Sequence, residues 1–444
     1  MANFRIMWGM ALLSLSVCQG QTAGGPDRAL ELNLQKAIEI ALSKNGNTDV
    51  RLAQESVNVS HFRYAEARSG LLPNFDGSVT EQDQTINLHA LGIRFSTPPG
   101  SGFTIPTEVG PFNTFDARLH FTQNLLNVST IRHSQAAHAD VHAAEADTQS
   151  VGEQVAATVA RLYAASLRAE ADVANAQANV ALAQELRDQA GRRQNAGEAT
   201  ALDVTRAELS MSRNQQRLLA AQTVLIRANL ELIKALNIDW NTSLHLGGKL
   251  GSVPAQLSTP AEAMEVALRS RPEFLAERRR MEGAHLGQSA ARAERLPSLV
   301  GFADYGLLSG IVTHTAGASL RVPLFDGGRI DAERGQANAL LRQEEIRQRD
   351  LKNQVELEVR QALASLASAQ SQLQVAERAV GLAQDELGRA RRRYDAGLAT
   401  SLDVLDAETR VENALNDRVA AEFNCTEANI DFAQATGTIK SMEF

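Results

Sequence analysis

The apolar positions of this chain repeat every seven residues over two long stretches. The later stretch carries two interleaved series, Val359, Leu366, Leu373, Val380 and Leu387, and Ala362, Ala369, Ala376, Ala383 and Ala390. The earlier stretch carries their counterparts 200 positions before, Val159, Ser166, Val173 and Val180, with Leu162, Ala169, Ala176, Ala183 and Ala190. A sustained seven-residue repeat predicts a left-handed coiled coil, and alanine at one seam position lets the helices approach closely.

Proline is absent from residues 112–253 and from every position after Pro323. Because proline costs about 3 kcal/mol inside a helix, these two windows are where very long helices can form. We predict a helix of about 66 residues in each window, spanning on the order of 100 Å, followed by a turn and a second long helix that returns.

Other segments alternate with a period of two, which is typical of strands. One series, apolar except for His314, is Val312, His314, Ala316, Ala318, Leu320 and Val322 in one segment and Phe115, Ala117, Leu119 and Phe121 in the other. Alternation of one apolar and one polar face over about ten residues is typical of membrane barrel strands. Partner strands are expected at roughly 77–95 and 299–308, with a tight turn at Ser309-Gly310 and a long loop at 96–111.

The chain is an internal duplication. The segment from Arg193 to Val204 recurs at an offset of 200 as the segment from Arg393 to Val404. We predict a first repeat over 21–240 with a β-hairpin at about 74–123 and a helical tip at about 194–203. The second repeat covers 241–444, with its hairpin at about 298–323 and its tip at about 394–403. Each repeat opens with one helix, Leu32 to Ser69 or Ala261 to Arg295.

The N-terminus indicates export. Residues 1–20 have the charged start, apolar stretch and small residues of a signal peptide, with lipidation of Cys18 or a retained apolar helix as the alternatives. The formal net charge of −8 argues against a nucleic-acid binder, and two cysteines cannot form a disulfide framework. Downstream of the N-terminus, the sequence contains no apolar run long enough for a transmembrane helix.

These elements predict a mainly α fold with a small β part. Four membrane strands cannot close a barrel, and open sheet edges are not tolerated in lipid. Three chains would supply twelve strands, an even number as in known barrels. We therefore expect a trimeric twelve-stranded barrel continued by an α-helical tunnel, built from the duplicated long helical hairpins, whose function is conduction.

Three motifs make the chain resemble the TolC-like outer-membrane efflux protein family from about residue 30 to 438. They are Leu32-Asn-Leu-Gln-Lys-Ala-Ile-Glu-Ile-Ala-Leu42, Arg321-Val-Pro-Leu-Phe-Asp-Gly-Gly-Arg329, and Tyr394-Asp-Ala-Gly-Leu-Ala-Thr-Ser-Leu-Asp-Val-Leu-Asp406. The resemblance implies a homotrimeric channel in the outer membrane that extends into the periplasm. It also implies docking to a periplasmic adaptor protein and an inner-membrane transporter.

The resemblance places a gate at the helical tips. It implies acidic pore positions at Asp403 and Asp406, which lie three apart on one helical face, and a hydrogen-bonded pair between Asp203 and Tyr394. The gating arginine of the family corresponds here to Ala399. From the residues alone, Thr200 with Asp203 and Thr400 with Asp403 have capping-box spacing. A capping role alone is the alternative for both aspartates.

The tips also contain Gly197 and Gly397, which we interpret as turn residues. Together with Thr200 and Thr400, they are the positions at which we expect the adaptor to dock.

Other functions find less support in the sequence. No catalytic motif is present, so we expect no enzyme and no cofactor. His138 and His142 have the spacing to share a metal, but a solvated helical face is the preferred interpretation, and no metal site is predicted. The alternatives to an efflux channel are the exit duct of type I protein secretion and, from another class, a soluble periplasmic coiled-coil scaffold.

Overall fold

The computed structural model describes residues 30–93, 107–251 and 259–442. The predicted signal peptide, Cys18 and residues 96–106 of the predicted loop lie outside the described residues. The helices are α1 Leu34–Leu42, α2 Thr48–Ser69, α3 Val128–Asn195, α4 Ala201–Leu236, α5 Pro260–Ser270, α6 Pro272–Ala293, α7 Arg329–Asp395 and α8 Ser401–Thr436, with a 3-10 turn at Ile439–Ser441. The strands are β1 Leu30–Leu32, β2 Asn74–Asn87, β3 Glu108–Leu126, β4 Leu244–Leu246, β5 Ser298–Leu308 and β6 Ile311–Arg321.

Two long helical hairpins dominate the structure, as the proline-free windows predicted. Helices α3 and α7 contain 68 and 67 residues, and each is followed by a 36-residue returning helix. The seven-residue repeat forms the packed face, since Val159, Val359 and Leu366 are fully buried. The heptad interpretation of these two stretches is thereby confirmed.

The prediction of a single helix at the start of each repeat is wrong, because each of these helices is broken into two. In the first repeat, helix α1 ends before Gly46, where an added Cβ would lie 2.3 Å from the carbonyl oxygen of Ile40. Asn47 then caps α2 by accepting from the backbone N–H of Asp49 at 2.8 Å. In the second repeat, the break falls at Arg271, whose extended ψ of 121° is what a following proline favours.

Four strands form one antiparallel sheet in the order β2-β3-β5-β6, so the two repeats join through β3 and β5. Ser309 and Gly310 make the predicted tight turn, both with positive φ. The first hairpin differs from expectation. Strand β2 ends at Asn87 rather than near residue 95, and β3 begins at Glu108, within the predicted loop. The ladder between β2 and β3 includes Glu108 and the proline-containing start of β3. Its register shifts between Gln84 and Ile86 of β2.

The sheet has one polar face and one apolar face, following the period-two pattern. On the polar face, Arg118 pairs with Asp116 at 2.6 Å, and His120 contacts both Asp304 and the Ser78 hydroxyl. The apolar face leaves large side chains uncovered: Phe75, Val79, Leu119, Tyr305, Val312 and Leu320. Among the described helices, none is both long and apolar enough to cross a membrane.

The main core lies where the two repeats meet. The short strands β1 and β4 pair in parallel there, against α1 and the middle of α3. The Tyr163 hydroxyl lies 2.9 Å from the carbonyl oxygen of Leu32 and also contacts that of Gly247. Burial, followed by the nearby Glu170 carboxylate, raises the pKa of Tyr163 to about 12. The neutral phenol therefore holds both strands to α3 across the whole physiological pH range.

We expect Leu366→Ala to destabilise the second hairpin by about 2–5 kcal/mol, because it opens a cavity at a fully buried heptad position. Leu382 lies on the same helix but is 72% exposed, so Leu382→Ala should change stability by only about 0.5 kcal/mol or less. Thermal unfolding of the detergent-extracted protein, followed by circular dichroism, compares the two. Equal shifts would contradict the heptad seam.

Candidate functional site at the helical tips

The two tips have nearly identical turns. After α3, the N–H of Gly197 donates to Gln194 at 2.9 Å and that of Glu198 donates to Arg193 at 2.8 Å. After α7, Gly397 and Leu398 repeat these bonds at 3.0 and 2.8 Å. Gly197 and Gly397 have φ of 78° and 74°, a conformation that L side chains rarely adopt. Their predicted role as turn residues is confirmed.

A capping box starts each returning helix. Oδ2 of Asp203 accepts from the Thr200 N–H at 3.0 Å, while the Thr200 hydroxyl accepts from the Asp203 N–H at 3.3 Å. Thr400 and Asp403 make the same pair at 2.7 and 3.3 Å. Both predicted caps are therefore present.

Three residue pairs make polar or ring contacts between one tip and the other. The Ser401 hydroxyl donates a 2.6 Å hydrogen bond to Oδ1 of Asp203, the oxygen that the cap does not use. The Arg193 guanidinium lies 4.4 Å from the centre of the Tyr394 ring and donates to the Tyr394 carbonyl oxygen at 3.4 Å. The Gln189 amide donates to Asp395 at 3.4 Å. The tips are thus joined by contacts to two aspartates, to a backbone carbonyl and to an aromatic face.

The expected hydrogen bond between Asp203 and Tyr394 is wrong for this structure, because Ser401 takes the free oxygen of Asp203. Across the described chain, the Tyr394 hydroxyl has no hydrogen-bond partner. Its ring instead packs beside an apolar cluster that includes Leu186, Leu387 and Val404. Asp203 and Tyr394 still line the same small cavity, of about 50 Å³, between the tips.

The two aspartates of the capping boxes remain charged at neutral pH. The hydrogen bond from Ser401, followed by those from Thr200, lowers the pKa of Asp203 to about 2. The Thr400 N–H lowers the pKa of Asp403 below its usual range. Asp403 and Asp406 are both exposed. Within the described ranges, no group of three or more metal-ligating side chains is arranged to hold an ion.

Two functional candidates were missed by the sequence reasoning. Ser401 stands where the first repeat has Ala201, and this difference inside an otherwise matched motif was the available signal. Arg193 has its counterpart in Arg393 and so gave no signal itself, but its partner Tyr394 stands where the first repeat has Gln194. With alanine at position 399, Arg193 is a cation of one tip that contacts the other tip directly.

Behind the tips, ion pairs connect the helices. Arg391 of α7 donates to Glu408 of α8 at 3.2 Å, and Arg217 of α4 pairs with Glu412 of α8. Burial of Glu408 outweighs the opposing effect of Arg391 and raises the pKa of Glu408 to about 7. This carboxyl group therefore changes charge near neutral pH within the packed part of the hairpin.

We expect the second tip to open locally more easily at pH 8 than at pH 5. Folded Glu408 keeps its proton up to about pH 7, whereas an unfolded glutamate releases it near the ordinary pKa of 4.5, so rising pH between these values favours the open state. The effect is at most about 1.4 kcal/mol per pH unit. Hydrogen exchange of tip peptides, corrected for intrinsic rates, measures it.

Glu408→Gln should abolish this pH dependence. Glu386→Gln is the matched control, because Glu386 belongs to an exposed pair with Arg410 on the same hairpin. The assignment to Glu408 is refuted if the glutamine variant keeps the pH dependence of the parent protein.

Comparison with known proteins places this geometry in a family. The family model described as outer membrane efflux protein matches residues 40–237 and 263–438. The pyoverdine export outer membrane protein OpmQ of Pseudomonas putida is 25% identical over 430 residues, covering 91% of this chain and 85% of its own length. The proteases secretion protein PrtF of Dickeya chrysanthemi is 22% identical over 188 residues, covering 40% of this chain and 41% of its own length.

A solved structure agrees at the level of the fold. The CmeC outer membrane channel of Campylobacter jejuni superposes with a TM-score of 0.76 at 18% identity, covering 99% of this chain and 94% of that one. The family match takes in both long hairpins and all four strands of the larger sheet. The chain belongs to the outer membrane efflux protein family.

Proposed function

We propose that this chain is the outer-membrane channel of a tripartite efflux pump, a passive exit duct with a gated periplasmic entrance. One observation carries the proposal. In this member of the efflux family, a sheet with one polar and one apolar face continues into two helical hairpins of about 100 Å. Such an object offers a conduit and no reaction centre, so we expect no enzymatic activity and no cofactor.

Closure of the conduit requires more than one chain. Strands β2 and β6 are the edges of the sheet and present unpaired backbone groups. Lipid supplies no hydrogen bonds to such groups. Three copies joined edge to edge would give twelve strands and a helical tunnel of the same symmetry. A homotrimer is therefore the assembly that we propose, with the barrel in the outer membrane and the hairpins in the periplasm.

The tips are proposed as the gate and as the docking site. The bonds from Ser401 to Asp203 and from Arg193 to Tyr394 would hold the two hairpins of a chain together in the closed state. Asp403 and Asp406, repeated three times, would surround the entrance with six carboxylates and attract cations. Gly197, Thr200, Gly397 and Thr400 form the two turns that a periplasmic adaptor, itself bound to an inner-membrane transporter, would meet.

The second candidate is the exit duct of type I protein secretion. The likeness to a proteases secretion protein favours it, but that likeness covers less than half of the chain. OpmQ, which matches over most of its length, is named for pyoverdine export. Deletion of the gene separates the two functions. Increased sensitivity to small toxic compounds with unchanged secreted proteins supports the efflux pump, and the converse supports secretion.

The first test is the mass and the membrane behaviour of the mature protein. A particle that requires detergent for extraction and has about three chain masses is the expected result. A water-soluble monomer or dimer would contradict the channel and support the periplasmic scaffold instead.

We expect Ser401→Ala to raise the open fraction of the channel in planar bilayers. The lost hydrogen bond to a charged carboxylate at a partly exposed site is worth about 1 kcal/mol, or roughly fivefold in the equilibrium between closed and open states. Tyr394→Phe is the control, because its hydroxyl bonds no described residue and its ring packing would remain. A larger effect from Tyr394→Phe than from Ser401→Ala would contradict this account of the gate.

The acidic entrance predicts block by multivalent cations. Replacing both Asp403 and Asp406 by asparagine should weaken block by a trivalent cobalt hexaammine ion about tenfold, because six charges are removed from one constriction. Asparagine at 403 preserves a side-chain oxygen for the cap. Asp385→Asn, at an exposed position on the preceding helix, is the control. Unchanged block in the double variant would exclude these residues from the pore.

A further inference from the structure

A groove between α2, α3 and α6 contains two histidines one helical turn apart. His138 and His142 lie on α3, and Tyr64 and Glu282 line the same groove from α2 and α6. A spacing of four residues places the two imidazoles about 40° apart around the helix, on one face. The function proposed above uses neither of them.

The two rings are close enough to share a ligand. Their centroids are 4.6 Å apart at an interplanar angle of 83°, and the Tyr64 ring lies 5.0 Å from the His138 ring at a tilt of 57°. Nδ1 of His142 lies 2.9 Å from the Glu145 carboxylate, which leaves Nε2 of His142 open. No hydrogen bond to His138 is found among the described residues.

Imidazole nitrogen is a preferred ligand of zinc, copper and nickel ions. A carboxylate bonded to the second ring nitrogen fixes the tautomer of a metal-binding histidine and raises its basicity, which is the relation of Glu145 to His142. We propose that His138 and His142 bind one divalent transition-metal ion through imidazole nitrogens, with Glu145 as the orienting carboxylate and water in the remaining positions. With only two protein ligands, the site would exchange its ion readily.

Both histidines lie on α3, an inner member of a row of packed helices. Helices α2, α3, α6 and α7 pack side by side in that order, so α2 and α7 are the outer members that another copy would contact. His138 is exposed and His142 is half-buried. Arg279, the cation among the described residues that line the groove, is paired with Glu282 at 2.9 Å, so its charge is compensated beside the proposed ion.

Copper is the probe that counts the histidine ligands. The full-length protein, purified in detergent without a polyhistidine tag, is loaded with one equivalent of Cu²⁺ per chain. Pulsed electron paramagnetic resonance detects the remote nitrogen of each coordinated imidazole. We expect two equivalent imidazoles per copper, and competition by Zn²⁺ and Ni²⁺ in the order of their general affinities.

His138→Ala and His142→Ala should each reduce the signal to one imidazole or none and weaken binding at least tenfold. His133→Ala is the matched control, since His133 is exposed on the same helix but is turned about 140° from His138. Glu145→Gln should keep two imidazoles but weaken binding about tenfold.

The proposal is overturned if the parent protein gives a single imidazole, or if His133→Ala weakens binding as much as His138→Ala does. Neither result bears on conduction, because the measurement requires no channel activity. A failure of the metal site is thereby distinguishable from a failure of the channel.

Discussion

The backbone groups at the edges of a four-stranded sheet impose the main constraint on this molecule. The sheet is joined at its centre, where β3 of the first repeat pairs with β5 of the second, and is open at β2 and β6. Its apolar face is uncovered, and its polar face carries paired charges. Such a sheet satisfies its edges in lipid only by meeting further copies. The proposed trimer, the tunnel and the shared entrance all depend on that requirement.

At the tips, the groups that end and start the helices also connect the hairpins. The two carboxylate oxygens of Asp203 have different partners. Oδ2 completes the cap with Thr200, and Oδ1 accepts a hydrogen bond from Ser401. The cap fixes the position of the carboxylate, so the second oxygen is held ready for the neighbouring tip. Loss of the link between hairpins therefore need not melt the helix. This separation would allow the proposed gate to move while its helices stay folded.

Much of the fold could be predicted because it follows from local rules. Heptads, proline-free windows and period-two segments each specify one element, and the capping boxes specify where the returning helices start. The breaks at Gly46 and Arg271 were missed for two different reasons. The break at Gly46 depends on the close approach of this residue to the Ile40 carbonyl, which only the folded chain shows. Pro272 was visible in the sequence, but its effect on the preceding residue was overlooked.

The contacts at the tips were harder to predict because they join residues about 200 positions apart. Duplication gives both tips the same turn and the same cap, so the repeated motif carries no information about what joins them. That information lies in the positions where the copies differ, at Ala201 and Ser401 and at Gln194 and Tyr394. The serine supplies a donor and the tyrosine supplies a ring, and each meets a residue of the first tip, Asp203 or Arg193. In a duplicated chain, the differences between copies are therefore the positions to examine for function, because identity between them is already explained by the fold.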